Sequence, residues 1–280
     1  VLKNSTGYNL TQLLVGSEGT LGIITKIVFR LIPYPTKDVS MLVPFRSSEK
    51  ACEAVSAVFR AGITPSALEF MERDAIDWTM KFTDISVPVE DDIQAHLLVE
   101  VDGNDMDVLF KDCERIAAVM EEYGCGEILF ADSASQKDQL WRLRRAVGEA
   151  VKSNSIYKEE DTVVPRAELP KLLNGVKQIG EKYGFNSVCY GHAGDGNLHI
   201  NIVKGAMSDD AWNNKLTKGI RELFELTVGL GGTISGEHGI GLVQKKYMDI
   251  AFCKTNLELQ KGIKKLFDPN GILNPKKVFV

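Results

Sequence analysis

The chain has 280 residues, of which 44% are hydrophobic and 25% are charged, and its formal net charge is −5. This length permits a large core and more than one structural unit, and the composition is that of a globular protein. The acidic balance, without any run of Lys and Arg, argues against nucleic acid or an anionic membrane surface as a partner.

The cysteines and the hydropathy indicate the compartment. The five cysteines form no CxxC pair, which fits reduced thiols, and no apolar stretch approaches the roughly 20 residues of a membrane span. We therefore expect a cytoplasmic protein, or one peripheral to the membrane, without a transmembrane segment.

The opening residues carry strand patterns but no earlier element for these strands to join. We expect residues 1–36 to be the end of a domain whose first part is absent, with a processed N terminus as the alternative. The cluster GSEGTLG at 16–22 has the spacing G-x-x-G-x-x-G and leads into a strand, so it is not a dinucleotide fingerprint. By itself it is a tight turn that could cradle a phosphate or a ring.

Residues 37–240 repeat one order of elements. The first half predicts strands at 39–45, 66–70, 96–101 and 127–131 and helices at 48–61, 72–83 and 106–124. The second half predicts strands at 162–165, 187–192, 197–203 and 231–235, and helices at 167–183 and 209–229. Two βαββαβ halves predict an α+β fold of ferredoxin-like antiparallel sheets with helices on one face, which can share one sheet.

Two further helices follow from capping patterns. Ser135 with Asp138 predicts a capping box before a helix that joins the halves, and Thr255 with Glu258 predicts another before the last helix. Pro269, Gly271 and Pro275 end that last helix within FDPNGILNP. Residues 241–280 are therefore expected to form a C-terminal helical segment.

Two of the four histidines lie seven residues apart in GHAGDGNLHINI, residues 191–202. If Asp195 and Gly196 form a two-residue turn, His192 pairs directly with His199, with Cβ atoms roughly 5 Å apart on one face. Asn201 then shares this face, and an apolar set faces the core. The alternative is a polar hairpin whose histidines face water.

A third ligand for a metal lies in GLGGTISGEHGIG, residues 229–241. His192, His199 and Glu237 make a set of two imidazoles and one carboxylate, which suits a divalent transition metal with open positions. Neighbouring side chains in extended backbone point in opposite directions, which leaves His238 as a base. His96, inside a predicted buried strand, is interpreted as a core histidine with its hydrogen bonds satisfied.

Four motifs in this order, LLVGSEGTLGIIT, GHAGDGNLHINI, SGEHGIG and FDPNGILNP, resemble the C-terminal portion of FAD-linked oxidases of the vanillyl-alcohol-oxidase type. The most similar branch holds glycolate oxidase, D-lactate dehydrogenase and D-2-hydroxyglutarate dehydrogenase. The resemblance implies FAD-dependent oxidation of a small D-2-hydroxy acid to the 2-oxo acid. It also implies an electron acceptor or partner subunits, and it is compatible with a homo-oligomer.

The resemblance implies three segments. Residues 1–36 would end the FAD-binding domain, residues 37–240 would be the cap, substrate and metal domain, and residues 241–280 would return to the FAD domain. Because most of that FAD domain is missing from the sequence, we expect the fragment alone to be colourless and inactive.

The resemblance also assigns roles to individual residues. It implies that His192, His199 and Glu237 are ligands of Zn, Mn or Fe and that His238 is the catalytic base. It also implies that Asn201 contacts the substrate and that Arg144, in Trp141-x-x-Arg144, binds the substrate carboxylate. Residues that would line the flavin are Gly16, Glu18, Gly19, Gly22, Ile23 and Asn274.

One position departs from the family. Some members carry a lysine two residues before the aspartate of D-x-x-x-P, where this chain has Glu159. Either Lys158 substitutes for that lysine, or the pocket disfavours a second carboxylate on the substrate, which puts D-2-hydroxyglutarate in doubt.

Two other functions remain open. A metallohydrolase could use the same His, His and Glu site, but it would not need the flavin motifs, so a yellow protein would exclude it. A non-catalytic fragment or subunit should carry no metal.

Overall fold

The computed structural model describes residues 3–131 and 133–279, and the ends of the predicted segments at Val1, Leu2 and Val280 lie outside the described residues. The described chain divides into two compact units. The smaller unit joins the residues before Pro33 with those after Gly236, and the larger unit is Pro33–Gly236.

The larger unit is built on one sheet, which has seven strands in the described residues, in the order β4-β1-β3-β2-β6-β7-β5. Each hydrogen-bonded pair of strands is antiparallel. The strands are β1 (Lys37–Phe45), β2 (Ala67–Glu72), β3 (Ala95–Gly103), β4 (Leu129–Ala131), β5 (Tyr157–Val163), β6 (Asn186–Gly191) and β7 (Asn197–Val203).

The strand order confirms the predicted fold class. The first four strands form one ferredoxin-like half, and β5 to β7 form a second half that joins the first where Phe70 pairs with Gly191 and Met71 with Tyr190. The two halves therefore share one sheet.

Helices accompany both units of the described chain. They are α1 (Leu10–Leu14), α2 (Ser48–Arg60), α3 (Arg73–Phe82), α4 (Met106–Glu122), α5 (Ala134–Asn154), α6 (Leu169–Tyr183), α7 (Leu216–Gly229), α8 (Met248–Ala251) and α9 (Lys254–Phe267). A turn of π-helix at Ala211–Lys215 precedes α7, within the predicted helix at 209–229.

The sheet carries helices on both faces, which adds to the predicted layer on one face. Met71 and Tyr190 pack in an apolar cluster with α3 and α5. Their strand neighbours Glu72 and Cys189 point to the other face, where Lys177 of α6 reaches both. The apolar stripes of α3 and α5 therefore cover part of the second face of the sheet, for which the sequence predicted no helices.

Three local predictions are wrong. The capping box is formed by Ser133 and Gln136, two residues earlier than expected, because the Gln136 side chain reaches back to Ser133. In the described chain, α9 follows Cys253 without a side-chain cap. The strand expected at 231–235 reduces to an isolated bridge between Thr233 and Val163, after which the chain turns away to bond Asp161 through the Gly236 nitrogen.

Two further observations concern the cysteines and the hydropathy of the helices. All five cysteines of the chain lie within the described residues and are unpaired. Across residues 3–131 and 133–279, no helix combines the length and hydropathy needed to span a membrane.

His96 on β3 is a core residue with 1% exposure, but its Nδ1 lacks a hydrogen-bond partner among the described residues. Burial, assisted by the charge of Arg73, lowers the pKa of His96 from 6.5 to about 4. Between these values the unfolded chain binds a proton that the folded chain does not. Folding stability is therefore full above the unfolded pKa and falls as pH drops from 6.5 towards 4.

We expect His96→Leu to flatten this pH dependence by on the order of 3 kcal/mol between about pH 7 and about pH 4. The free energy of unfolding, from urea titrations of both proteins at several pH values, measures it. Parallel pH profiles for the variant and the unmodified protein would contradict this interpretation.

Candidate functional site

The hairpin that carries two histidines has a different register from the predicted one. His199 pairs with Tyr190, so His192 lies outside the ladder in a five-residue connection. The His192 carbonyl accepts hydrogen bonds from the Asp195 and Asn197 nitrogens, which closes a short 3-10 turn at Ala193–Asp195. A direct pairing of His192 with His199 is therefore wrong.

The backbone at Val164, a neighbouring segment of the same chain, packs against this connection. The Val164 nitrogen donates to the Gly196 carbonyl at 3.0 Å. Gly196 has φ of 76°, and a Cβ there would lie 2.0 Å from the Val164 oxygen. Only glycine fits this left-handed position against another backbone, and this contact selects the longer loop.

The two histidines nevertheless come together. Their ring centroids lie 5.7 Å apart in an edge-on arrangement, and the Tyr190 ring lies 5.3 Å from that of His199. The Nδ1 atom of His199 lies 3.4 Å from a carboxylate oxygen of Glu159 and 3.9 Å from one of Asp161 on the neighbouring strand β5. The face predicted for chemistry therefore carries both imidazoles.

Asp161 connects three segments beneath this face. It is fully buried, and its carboxylate accepts hydrogen bonds from Asn197 Nδ2 at 2.6 Å and from the Gly236 nitrogen at 2.9 Å. In the sequence, Asp161 stands out only as the first residue of D-x-x-x-P. Asp161 ends the charged run KEED at 158–161, so its burial is not evident from the sequence, although a buried carboxylate requires such partners.

Arg144 of α5 reaches the same face. It is 8% exposed, its Nε donates to Glu69 Oε2 at 2.9 Å, and its Nη2 lies 2.7 Å from the same oxygen. Trp141 anchors the preceding turn of α5 through a hydrogen bond of 2.7 Å to Glu100. Arg144 is therefore buried within the protein, whereas Arg142 on the same helix pairs with exposed Asp84.

Asn201 and Tyr190 supply neutral polar groups. Asn201 is 1% exposed, and its Nδ2 has no hydrogen-bond partner among the described residues. Burial, with the nearby Glu159 charge, raises the pKa of Tyr190 to about 12, so its hydroxyl stays protonated. A buried amide nitrogen without a partner is costly, so it marks a place where a ligand oxygen would be stabilised.

Glu69 is a further polar residue at this face that the sequence motifs do not indicate. Its Oε1 lies 2.9 Å from His192 Nδ1, while Oε2 contacts Arg144. A glutamate in the predicted strand SALEF was the available signal, but its partners are 75 and 123 residues away in the chain.

The smaller unit gathers the six residues expected at a flavin. Gly16, Glu18, Gly19, Gly22, Ile23 and Asn274 all line one open cleft of about 710 Å³. Asn274 Nδ2 donates to the Glu18 carbonyl at 2.6 Å, and a Cβ on Gly19 would lie 2.7 Å from that nitrogen. Glycine at position 19 therefore permits the close approach of the two segments.

Glu18 has a second contact within the smaller unit. Its carboxylate accepts hydrogen bonds from the nitrogens of Ile240 and Gly241, at 2.7 and 2.9 Å. This holds the backbone that directly follows Glu237 and His238, whose side chains are exposed. Glu237 and His238 belong to the smaller unit and the paired histidines to the larger one, so their convergence on one metal stays a prediction.

The chain is similar to a described protein family and to individual members of known name. The sequence model for FAD linked oxidases, C-terminal domain, matches residues 34–278. D-lactate dehydrogenase of Anaerostipes hadrus is 35% identical over 99% of this chain and 60% of its own length. Glycolate oxidase subunit GlcD of Bacillus subtilis (strain 168) is 33% identical over 99% of this chain and 58% of its own length.

Solved structures show the same fold. The crystal structure of p-cresol methylhydroxylase with substrate bound matches with a TM-score of 0.73 at 16% identity, over 100% of this chain and 59% of that chain. At this identity the likeness shows the fold alone. The chain spans 60% and 58% of the two relatives in sequence.

Proposed function

The chain belongs to the FAD-linked oxidases, as their C-terminal domain, and from this premise we propose that the whole protein oxidises a small D-2-hydroxy acid of the glycolate or D-lactate type to the 2-oxo acid. The names of similar proteins, D-lactate dehydrogenase and glycolate oxidase subunit GlcD, support this substrate class. The word subunit in the second name also supports a partner subunit for the whole protein.

One observation carries the proposal. A single face of the sheet holds two imidazoles with ring centroids 5.7 Å apart, a buried guanidinium, and the buried amide of Asn201 with its nitrogen unused by the described residues. A 2-hydroxy carboxylate presents a carboxylate and an adjacent hydroxyl. These groups match a cationic fork, a polar donor and a metal position.

The cofactor proposed for the smaller unit is FAD. The cleft around Gly16–Ile23 and Asn274 fits a flat ring, because Gly16, Gly19 and Gly22 add no side chain to its wall and the Asn274 amide packs directly against Gly19. FAD would accept the hydride from C2 of the substrate.

A divalent ion is proposed as a second cofactor. His192, His199 and Glu237 would hold it, and the donor set of two imidazoles and one carboxylate fits Zn, Mn or Fe. The ion would lower the pKa of the substrate hydroxyl.

Three side chains are assigned to the substrate. His238 would take the hydroxyl proton, since a neutral imidazole nitrogen is a proton acceptor. Arg144 would bind the carboxylate through Nη1, because its contacts to Glu69 use Nε and Nη2. Asn201 would donate its Nδ2 hydrogens to a substrate oxygen.

The charges beside this site favour a monocarboxylate. Glu159 lies 3.4 Å from His199 Nδ1 on the candidate face. Lys158 points away, with its Nζ 5.5 Å from the centroid of the Trp212 ring. Lys158 is therefore a poor substitute for the lysine of some family members, and Glu159 would repel a second carboxylate.

We expect Glu159→Lys to raise kcat/KM for D-2-hydroxyglutarate relative to D-lactate by roughly tenfold to a hundredfold, the usual range for one hydrogen bond to a charged group. Steady-state kinetics of both enzymes on both acids measure the ratio. Glu159→Gln is the matched control, since it removes the repulsion without adding a cation and should give a smaller change. An unchanged ratio in both variants would place Glu159 outside the substrate pocket.

A screen of D- and L-2-hydroxy acids with the flavin-loaded enzyme and a dye acceptor tests the function itself. Turnover of D-lactate or glycolate is the expected result. A colourless, metal-loaded protein that hydrolyses esters or amides would support the metallohydrolase instead, and a protein with neither metal nor turnover would support a non-catalytic subunit.

A further inference from the structure

Glu69 lies between two groups to which the proposed function gives different tasks. One carboxylate oxygen is 2.9 Å from His192 Nδ1, and the other is 2.9 Å from Arg144 Nε and 2.7 Å from Nη2. We propose that Glu69 is a positioning residue that fixes His192 in its Nδ1–H tautomer, with Nε2 presented to a divalent ion. The proposal rests on the proposed metal site, whereas its first test does not.

Burial and charge support this assignment. Glu69 is 5% exposed and lies on β2, where its neighbours across the ladder belong to the core of the sheet. The Arg144 guanidinium compensates its negative charge and leaves Oε1 for the imidazole. An ionised carboxylate only accepts hydrogen bonds, so the His192 nitrogen facing it must carry the hydrogen.

This arrangement has a chemical consequence for the ring. When Nδ1 carries the hydrogen, the lone pair is on Nε2, which is the atom that can ligate a metal. The rigid position of β2 in the sheet also limits rotation of the ring. His192 needs such support because it lies in the connection after β6 and outside the strand ladder.

The test is the tautomer of His192 in the metal-free protein, read from imidazole ¹⁵N chemical shifts at about pH 8.5, above the ordinary imidazole pKa. The unmodified protein should show Nδ1–H. In Glu69→Gln, Arg144 should take the amide oxygen, so the amide NH₂ faces Nδ1 and His192 should become Nε2–H. Nε2–H in the unmodified protein, or the same tautomer in both, would overturn the proposal.

Removing one charge of a buried pair can destabilise the fold, so a second variant is needed. Glu69→Leu combined with Arg144→Met removes both charges at similar volume, and His192 should then show a mixture of tautomers. Glu100→Gln is the control, because Glu100 also links the sheet to α5, through Trp141, without contacting His192. It should leave the Nδ1–H tautomer unchanged.

Titration of the same proteins with Zn²⁺ or Mn²⁺ alone gives the second readout. Glu69→Gln should weaken binding by roughly 10- to 100-fold, the usual effect of losing a partner of a metal-bound histidine, while Glu100→Gln should bind like the unmodified protein. If the unmodified protein binds neither ion, the proposed metal site fails, and the tautomer result still decides the role of Glu69. Equal affinity in all variants would refute a positioning role for Glu69.

Discussion

Replacing His238 by alanine is expected to lower turnover of the holoenzyme by roughly 100- to 10,000-fold and to leave its metal content nearly unchanged. The reason is that a positioned general base contributes roughly this much to the rate of proton transfer. Stopped-flow reduction of the flavin by D-lactate measures the loss of rate in the chemical step. Metal analysis of the same sample shows whether the divalent ion is still bound.

The neighbouring residue is the matched control. Glu237→Ala should lose both metal and turnover, because Glu237 is the proposed carboxylate ligand. The Glu18 carboxylate holds the following backbone at Ile240 and Gly241, so neither substitution removes the contact that orders this segment. Loss of metal in His238→Ala with retention in Glu237→Ala would mean that the two roles are exchanged.

Removal of the divalent ion is expected to reduce turnover by on the order of a thousandfold, since a metal supplies several kcal/mol of charge stabilisation to such a reaction. Chelation followed by dialysis should leave a folded, yellow holoenzyme that is almost inactive. Adding back Zn²⁺, Mn²⁺ or Fe²⁺ should restore turnover with one of them.

Two variants separate metal loss from damage to the fold. His199→Gln should reproduce the activity of the chelated enzyme and should not respond to added metal, because it removes one of the proposed ligands. Lys158→Gln alters the neighbouring strand on the opposite face, so it should behave like the unmodified enzyme. Full activity after complete chelation would refute the metal site and leave acid–base chemistry to the histidines alone.

The sequence by itself determined the elements and their order. Alternation and helical periodicity predicted most of the strands, and α2 begins at Ser48 as expected, but the strand predicted at 162–165 is observed as β5 at Tyr157–Val163 and the one at 231–235 is only a bridge. Glycine and histidine motifs picked out residues that the fold groups together, since both imidazoles share one face and all six residues predicted at the flavin line one cleft. The helices and strands are local features, because the spacing of residues along the chain decides which face each side chain occupies, whereas the residues of the cleft follow from the family resemblance.

Tertiary structure decided the features that depend on distant partners. A turn of Asp195 and Gly196 would satisfy local preferences, but the Val164 backbone meets Gly196 and selects a longer loop with another register. Arg144 is buried because Glu69, 75 residues earlier in the chain, accepts its hydrogen bond. No pattern within one element contains such pairs, because the cost of burying each charge is offset only by a group that the fold brings alongside it.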